Sequence, residues 1–60
     1  MDLLTTEETA QFLHIPLATL RHWIATDQAP RSARIGRRRM FRRADCIDFV
    51  NKKFAEADTA

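Results

Sequence analysis

Pro16 divides the first half of this chain into two helical segments. Proline disfavours the α conformation in the residue before it, so the helical pattern ending near Leu13 cannot run straight into the one beginning at Leu17. A tight turn at His14-Ile15-Pro16 is required. The first helix opens at Thr5-Thr6-Glu7-Glu8, where Thr5 and Glu8 have capping-box spacing and the two acids favour the positive end of the helix dipole. Ala10 and Leu13, with Phe12 beside them, supply its apolar side. The second helix carries Leu20, Trp23 and Ile24 at i, i+3 and i+4, a stripe whose burial turns Leu17, Ala18, Arg21 and His22 towards solvent or a ligand. Thr26-Asp27-Gln28-Ala29-Pro30 ends it, with Asp27 able to take a left-handed conformation and Pro30 barring further helical bonds.

The second half begins as a hairpin. Arg34-Ile35 and Met40-Phe41 read as two short strands around Gly36-Arg37-Arg38-Arg39, with the single glycine of the chain in the turn. A third helix is expected from Arg43 or Ala44, with Asp45 in its first turn and Ile47, Val50 and Phe54 recurring at i, i+3 and i+7 as its inward side. The last four or five residues read as a fraying tail. The expected fold class is therefore small α+β, mostly α: a winged helix-turn-helix occupying residues 1–60 as one domain, with a core over about 3–56. Trp23, Phe12, Phe41, Phe49 and Phe54 all fall at positions this core needs, which speaks against base-stacking platforms for single strands. Trp23→Ala is expected to cost roughly 3–5 kcal/mol.

Sixty residues build one hydrophobic core and leave little material for a deep catalytic cleft. A lone cysteine, Cys46, excludes an internal disulfide framework, and together with His14 and His22 it has no zinc-ligand spacing. It reads as a small core residue. No catalytic residue, metal site or cofactor is expected. No apolar run approaches the roughly 18 residues of a membrane span, and Met1-Asp2-Leu3-Leu4 is not the start of a signal peptide, so the expected location is the cytosol, away from membranes.

Charge is distributed unevenly. Residues 31–43 hold seven arginines and no acid, whereas the rest of the chain holds three bases against eight acids, so +7 and −5 lie behind a net charge of only +2. A cationic patch on an otherwise acidic small domain is the electrostatic footprint of a polyanion bound on one face.

The chain resembles the excisionase-like, MerR-like winged-helix DNA-binding domains. The resemblance covers roughly residues 3–54: Leu3-Leu4-Thr5-Thr6-Glu7-Glu8, the run Thr19-Leu20-Arg21-His22-Trp23-Ile24, Pro30, Arg34-Ile35-Gly36-Arg37-Arg38, and Phe41-Arg42-Arg43 through Asp45 to Phe49. It implies that the second helix enters the major groove of double-stranded DNA and that the hairpin wing follows the backbone or reaches the adjacent minor groove. On that placement Leu17, Ala18, Thr19, Arg21 and His22 face base edges, and Arg34, Arg37, Arg38 and Arg39 serve the wing and backbone. Guanidinium groups suit both tasks, pairing bidentately with phosphates and with the acceptor edge of guanine. Arg21 is the best candidate for base readout. Strand alternation prevents all wing arginines from pointing one way, which favours Arg37 and Arg38.

Three positions depart from the family pattern. His14 stands where a glycine commonly closes the first helix, Pro16 where a Ser or Thr usually caps the second, and Asp27 where another glycine is frequent. The wing segment Arg31-Ser32-Ala33 is one residue longer than the common form. No long dimerisation helix or effector domain follows residue 54, which points within the family to an excisionase: an architectural recombination directionality factor of a phage or mobile element, at work on the nucleoid of a bacterial host. The resemblance then implies cooperative, head-to-tail binding to direct repeats in an attachment site, DNA bending, and a tyrosine or serine integrase as partner. A small transcriptional regulator of the same fold and a protein-docking module are the alternatives.

Overall fold

The computed structural model describes residues 2–59. Its elements run β1 (Leu3–Thr5), α1 (Thr6–Leu13), α2 (Leu17–Ala25), β2 (Ser32–Ile35), β3 (Arg38–Arg42) and α3 (Arg43–Thr59). The architecture is a winged helix-turn-helix with one addition that the sequence pattern did not announce. Leu3–Thr5 forms a strand, making an antiparallel sheet of order β1-β3-β2 rather than an isolated hairpin. Three residues are too few to show an alternation, and their partners lie almost forty positions away: Leu3 opposite Arg42, Leu4 opposite Phe41, Thr5 opposite Met40.

The helix starts obey the local chemistry closely. At α1 the Glu8 backbone N–H donates to Thr5 Oγ1 at 3.1 Å and the Thr5 backbone N–H donates to Glu8 Oε1 at 2.8 Å, a complete capping box. α2 starts at Pro16, which offers no side-chain acceptor, so the cap worth about 1 kcal/mol is missing. Both breaks that lack the family glycine still take a left-handed backbone: φ is 58° at His14 and 60° at Asp27. Asp and His tolerate this conformation better than branched residues do, yet a Cβ there still costs about 1–2 kcal/mol. His14→Gly is therefore expected to raise stability by about 0.5 kcal/mol or more in urea denaturation, the gain being trimmed by the entropy of an added glycine. An unchanged or lowered midpoint would show that the His14 backbone carries no strain.

The wing differs in detail from the expected hairpin. Its strands extend to Ser32–Ile35 and Arg38–Arg42, so the turn contains two residues, Gly36 and Arg37, instead of four, and Arg38 and Arg39 belong to β3. Gly36 at φ 63° supplies the left-handed residue that so short a connection demands.

The core lies between the sheet and the helices. Leu4, Phe41 and Cys46 form its centre, with Phe12 and Ile24 packed against them, and Leu20 is fully buried. Thr9 is buried too, its hydroxyl satisfied by donating to the Thr5 carbonyl at 2.8 Å. Trp23 and Phe49 are half-buried and meet at 6.0 Å between ring centroids, tilted by 44°. Burial pushes the Cys46 thiol above its ordinary value of 9.0, with the Thr9 hydroxyl pulling the other way. A proton held more tightly in the folded state favours folding below that ordinary value, and the contribution is lost as pH rises through the folded one.

α3 corrects one reading. Ile47 and Phe54, expected inside, are 44% and 68% exposed. Of the i, i+3, i+7 series starting at Ile47, Ile47 and Phe54 point outward and only Val50 is half-buried; the inward side begins one residue earlier, at Cys46, and continues through Phe49 and Val50. The helix then continues to Thr59, beyond the reach of the core.

Candidate nucleic-acid interface

α2 presents Ala18, Arg21, His22 and Ala25 on its exposed side, at the i, i+3, i+4 and i+7 spacing of one helical face. Two small residues flank two long donors on that face, a shape that lets the helix backbone approach a groove while Arg21 and His22 reach into it. Leu17 and Thr19 are half-buried beside it. Neither the Arg21 nor the His22 side chain has an ion pair or hydrogen bond among the described residues.

The seven arginines of residues 31–43 divide into two sets. Three are tied to the protein itself. Arg39 is half-buried and donates from Nη1 to Ser32 Oγ at 2.8 Å. Arg42 pairs through Nε with Asp45 Oδ2 at 2.6 Å. Arg43 pairs through Nε with Asp2 Oδ2 at 3.1 Å and lies 5.6 Å from the Phe12 ring centroid. The other four, Arg31, Arg34, Arg37 and Arg38, are exposed, with no ion pair or hydrogen bond from their side chains among the described residues. Register places Arg34 opposite Arg39, whereas Arg38 alternates to the opposite face and Arg37 sits in the turn. Four unneutralised guanidinium groups within eight residues repel one another, and a polyanion is the ligand that relieves the repulsion.

Of the residues singled out from sequence, Arg21 and His22 share a face of α2 with Ala18, and Arg34, Arg37 and Arg38 share the wing as free cations. Arg39 is held by an internal bond. Arg31, counted in the cationic run but not among the wing residues, joins the free set. The signal for it was the acid-free run itself. The Arg31 side chain forms no ion pair or hydrogen bond among the described residues, although Asp45 and Asp48 line the same groove.

A family model described as a helix-turn-helix domain matches residues 3–53, and the chain belongs to that family. It is a small helix-turn-helix DNA-binding domain. No curated protein and no solved structure matches it. Among the described residues no helix is long and apolar enough to cross a membrane.

Proposed function

We propose that this domain is an excisionase: an architectural protein that binds repeated sites in an attachment site, bends the duplex, and directs an integrase towards excision of a phage or mobile element. The observation that carries the DNA-binding mode is the pairing of two unsatisfied polar surfaces on one small body, the Arg21 and His22 face of α2 and the four free arginines around the wing. Together they divide the work of recognition: α2 reads base edges, with Leu17, Ala18 and Thr19 at its start, and the wing neutralises phosphates. The run of family motifs from Leu3 to Phe49 supports the excisionase-like, MerR-like winged-helix class to which this role belongs.

On this reading, Arg21→Ala costs about 1–3 kcal/mol of discrimination at one guanine and relaxes specificity there, whereas paired Arg37→Ala and Arg38→Ala substitutions weaken binding on all sequences alike. Electrophoretic titration of matched and mismatched duplexes separates the two. Equal losses on every duplex for Arg21→Ala would remove it from base readout. The recombination role is tested by circularly permuted duplexes, which report a bend, and by excision in vitro with tyrosine and serine integrases on their own attachment sites. Bending costs on the order of 1–6 kcal/mol, which cooperative filling of adjacent direct repeats offsets, with copies arranged head to tail. Binding without bending, and excision indifferent to the protein, would leave a promoter-binding regulator as the better account.

A further inference from the structure

We propose that Ile35 is an apolar wedge: its side chain enters the minor groove from the tip of the wing and parts one base step, and this deformation is the source of the bend. The proposal rests on the reading that the wing binds double-stranded DNA and that binding bends the duplex.

Four large apolar side chains are exposed among the described residues: Leu3, Ile35, Ile47 and Phe54. Leu3 stands opposite Arg42, which is tied to Asp45, and Ile47 and Phe54 lie on α3, away from the free arginines. Of the four, only Ile35 stands among unneutralised cations. Arg34 precedes it, Arg37 follows across Gly36, and Arg38 is its register partner on β3. One exposed isoleucine on a surface is ordinary, but this one, 54% exposed, is set where any polyanion drawn to the arginines must cover it.

Register fixes the direction in which it points. Ser32 stands opposite Phe41 on the core side of the sheet, so Ile35, three residues on, faces away from the core. Exposed Ala33 and half-buried Met40 share that face on the side towards the body of the domain. On the other side lies Gly36, where an added Cβ would meet nothing within 4 Å. The wing is therefore slim where Ile35 leaves it, and its backbone can come close to a groove with the isoleucine leading.

A phosphate backbone satisfies Arg34, Arg37 and Arg38, but a branched hydrocarbon gains nothing from phosphates. It gains from deoxyribose carbons and, more, from the faces of bases that have come apart. Parting a step at the minor groove bends the duplex towards the major groove, the side held by α2. Arg34 leaves the hairpin on the core side and Arg38 on the Ile35 side, so phosphates flanking the groove can be held while the step opens. Arginines alone would neutralise the backbone without unstacking it, and the isoleucine supplies what they lack.

The test uses the full chain on duplexes carrying one selected site, with donor and acceptor dyes at the ends to report the bend and 2-aminopurine at successive steps on the wing side to report loss of stacking. The unaltered chain should bend the duplex and brighten the 2-aminopurine at one step. Ile35→Ser, at an exposed position of β2, should bind about tenfold more weakly with the bend and the brightening largely lost, whereas Ile35→Leu should keep all three. A one-nucleotide gap at the same step makes the duplex flexible in advance, so it should close most of the difference in affinity between Ile35→Ser and the unaltered chain. An undiminished bend with Ile35→Ser would overturn the wedge, as would a loss of affinity that the gap does not restore, since the isoleucine would then touch the duplex without deforming it. Binding by the unaltered chain with no bend would overturn the wedge and leave DNA recognition standing. Failure of the unaltered chain to bind any duplex would overturn the underlying reading, and the wedge with it.

Discussion

A Phe41→Ala chain is expected to be largely unfolded at 25 °C. Phe41 is 0% exposed, lies on the middle strand of the sheet opposite Leu4 on one side and Ser32 on the other, and belongs to the central cluster with Leu4 and Cys46. Truncating a buried phenylalanine costs about 3–5 kcal/mol, since the transfer energy of the ring is lost and the cavity cannot fully close. A domain of this size has a total stability of only about 3–9 kcal/mol. One side chain therefore decides whether the sheet and the helices stay together. Trp23→Ala should cost less, because Trp23 is half-buried and its principal aromatic neighbour, Phe49, is also partly exposed. Urea titration followed by far-ultraviolet circular dichroism gives both numbers. A cooperative Phe41→Ala transition displaced by less than about 1 kcal/mol would show that the core is centred elsewhere.

The second large effect is on salt. If Arg31, Arg34, Arg37 and Arg38 each neutralise one phosphate, log K falls against log salt with a slope of about −3.6, or roughly a hundredfold loss of affinity over a fourfold rise in salt. The structure narrows this expectation to specific residues: Arg39, Arg42 and Arg43 have internal partners and should contribute little to the slope. Removing Arg38 should reduce the slope by about one unit, whereas removing Arg42 should leave it nearly intact. Equal reductions for both would mean that the Arg42 ion pair with Asp45 opens on DNA. A slope near zero with low-micromolar affinity would remove the electrostatic account of the wing altogether.

Much of this domain is written locally in its sequence. Thr5 and Glu8 announce the first helix start, Pro16 announces the turn, Leu20, Trp23 and Ile24 announce the inward side of α2, and Gly36 marks the wing turn. Each depends on neighbours within one or two helical turns, the range over which sequence spacing maps directly onto geometry. What escaped that logic is long-range. β1 is stabilised by register with β3 and by the Asp2 to Arg43 link across 41 positions, none of which leaves a mark on three isolated residues. The third helix shows a different difficulty: two apolar series, Cys46-Phe49-Val50 and Ile47-Val50-Phe54, share Val50 and differ in phase by about 100°, so periodicity alone does not choose between them. The sheet chooses, because Phe41 needs Cys46 beside it. The candidate interface was legible in kind, as an acid-free cationic run next to a helix with a polar face. Its division into free and internally tied arginines was only partly so: Asp45 is a local partner three residues from Arg42, whereas Ser32 and Asp2 become partners only once the strands pair.

The most direct test of DNA recognition by α2 and the wing is selection of bound duplexes from a random pool, with footprinting of the winners. Enrichment of a guanine-containing core whose preference is lost with Arg21→Ala, protected as direct repeats in helical phase, is the predicted result. A pool that yields no enriched sequence would contradict it, since the polar face of α2 would then have no base to read.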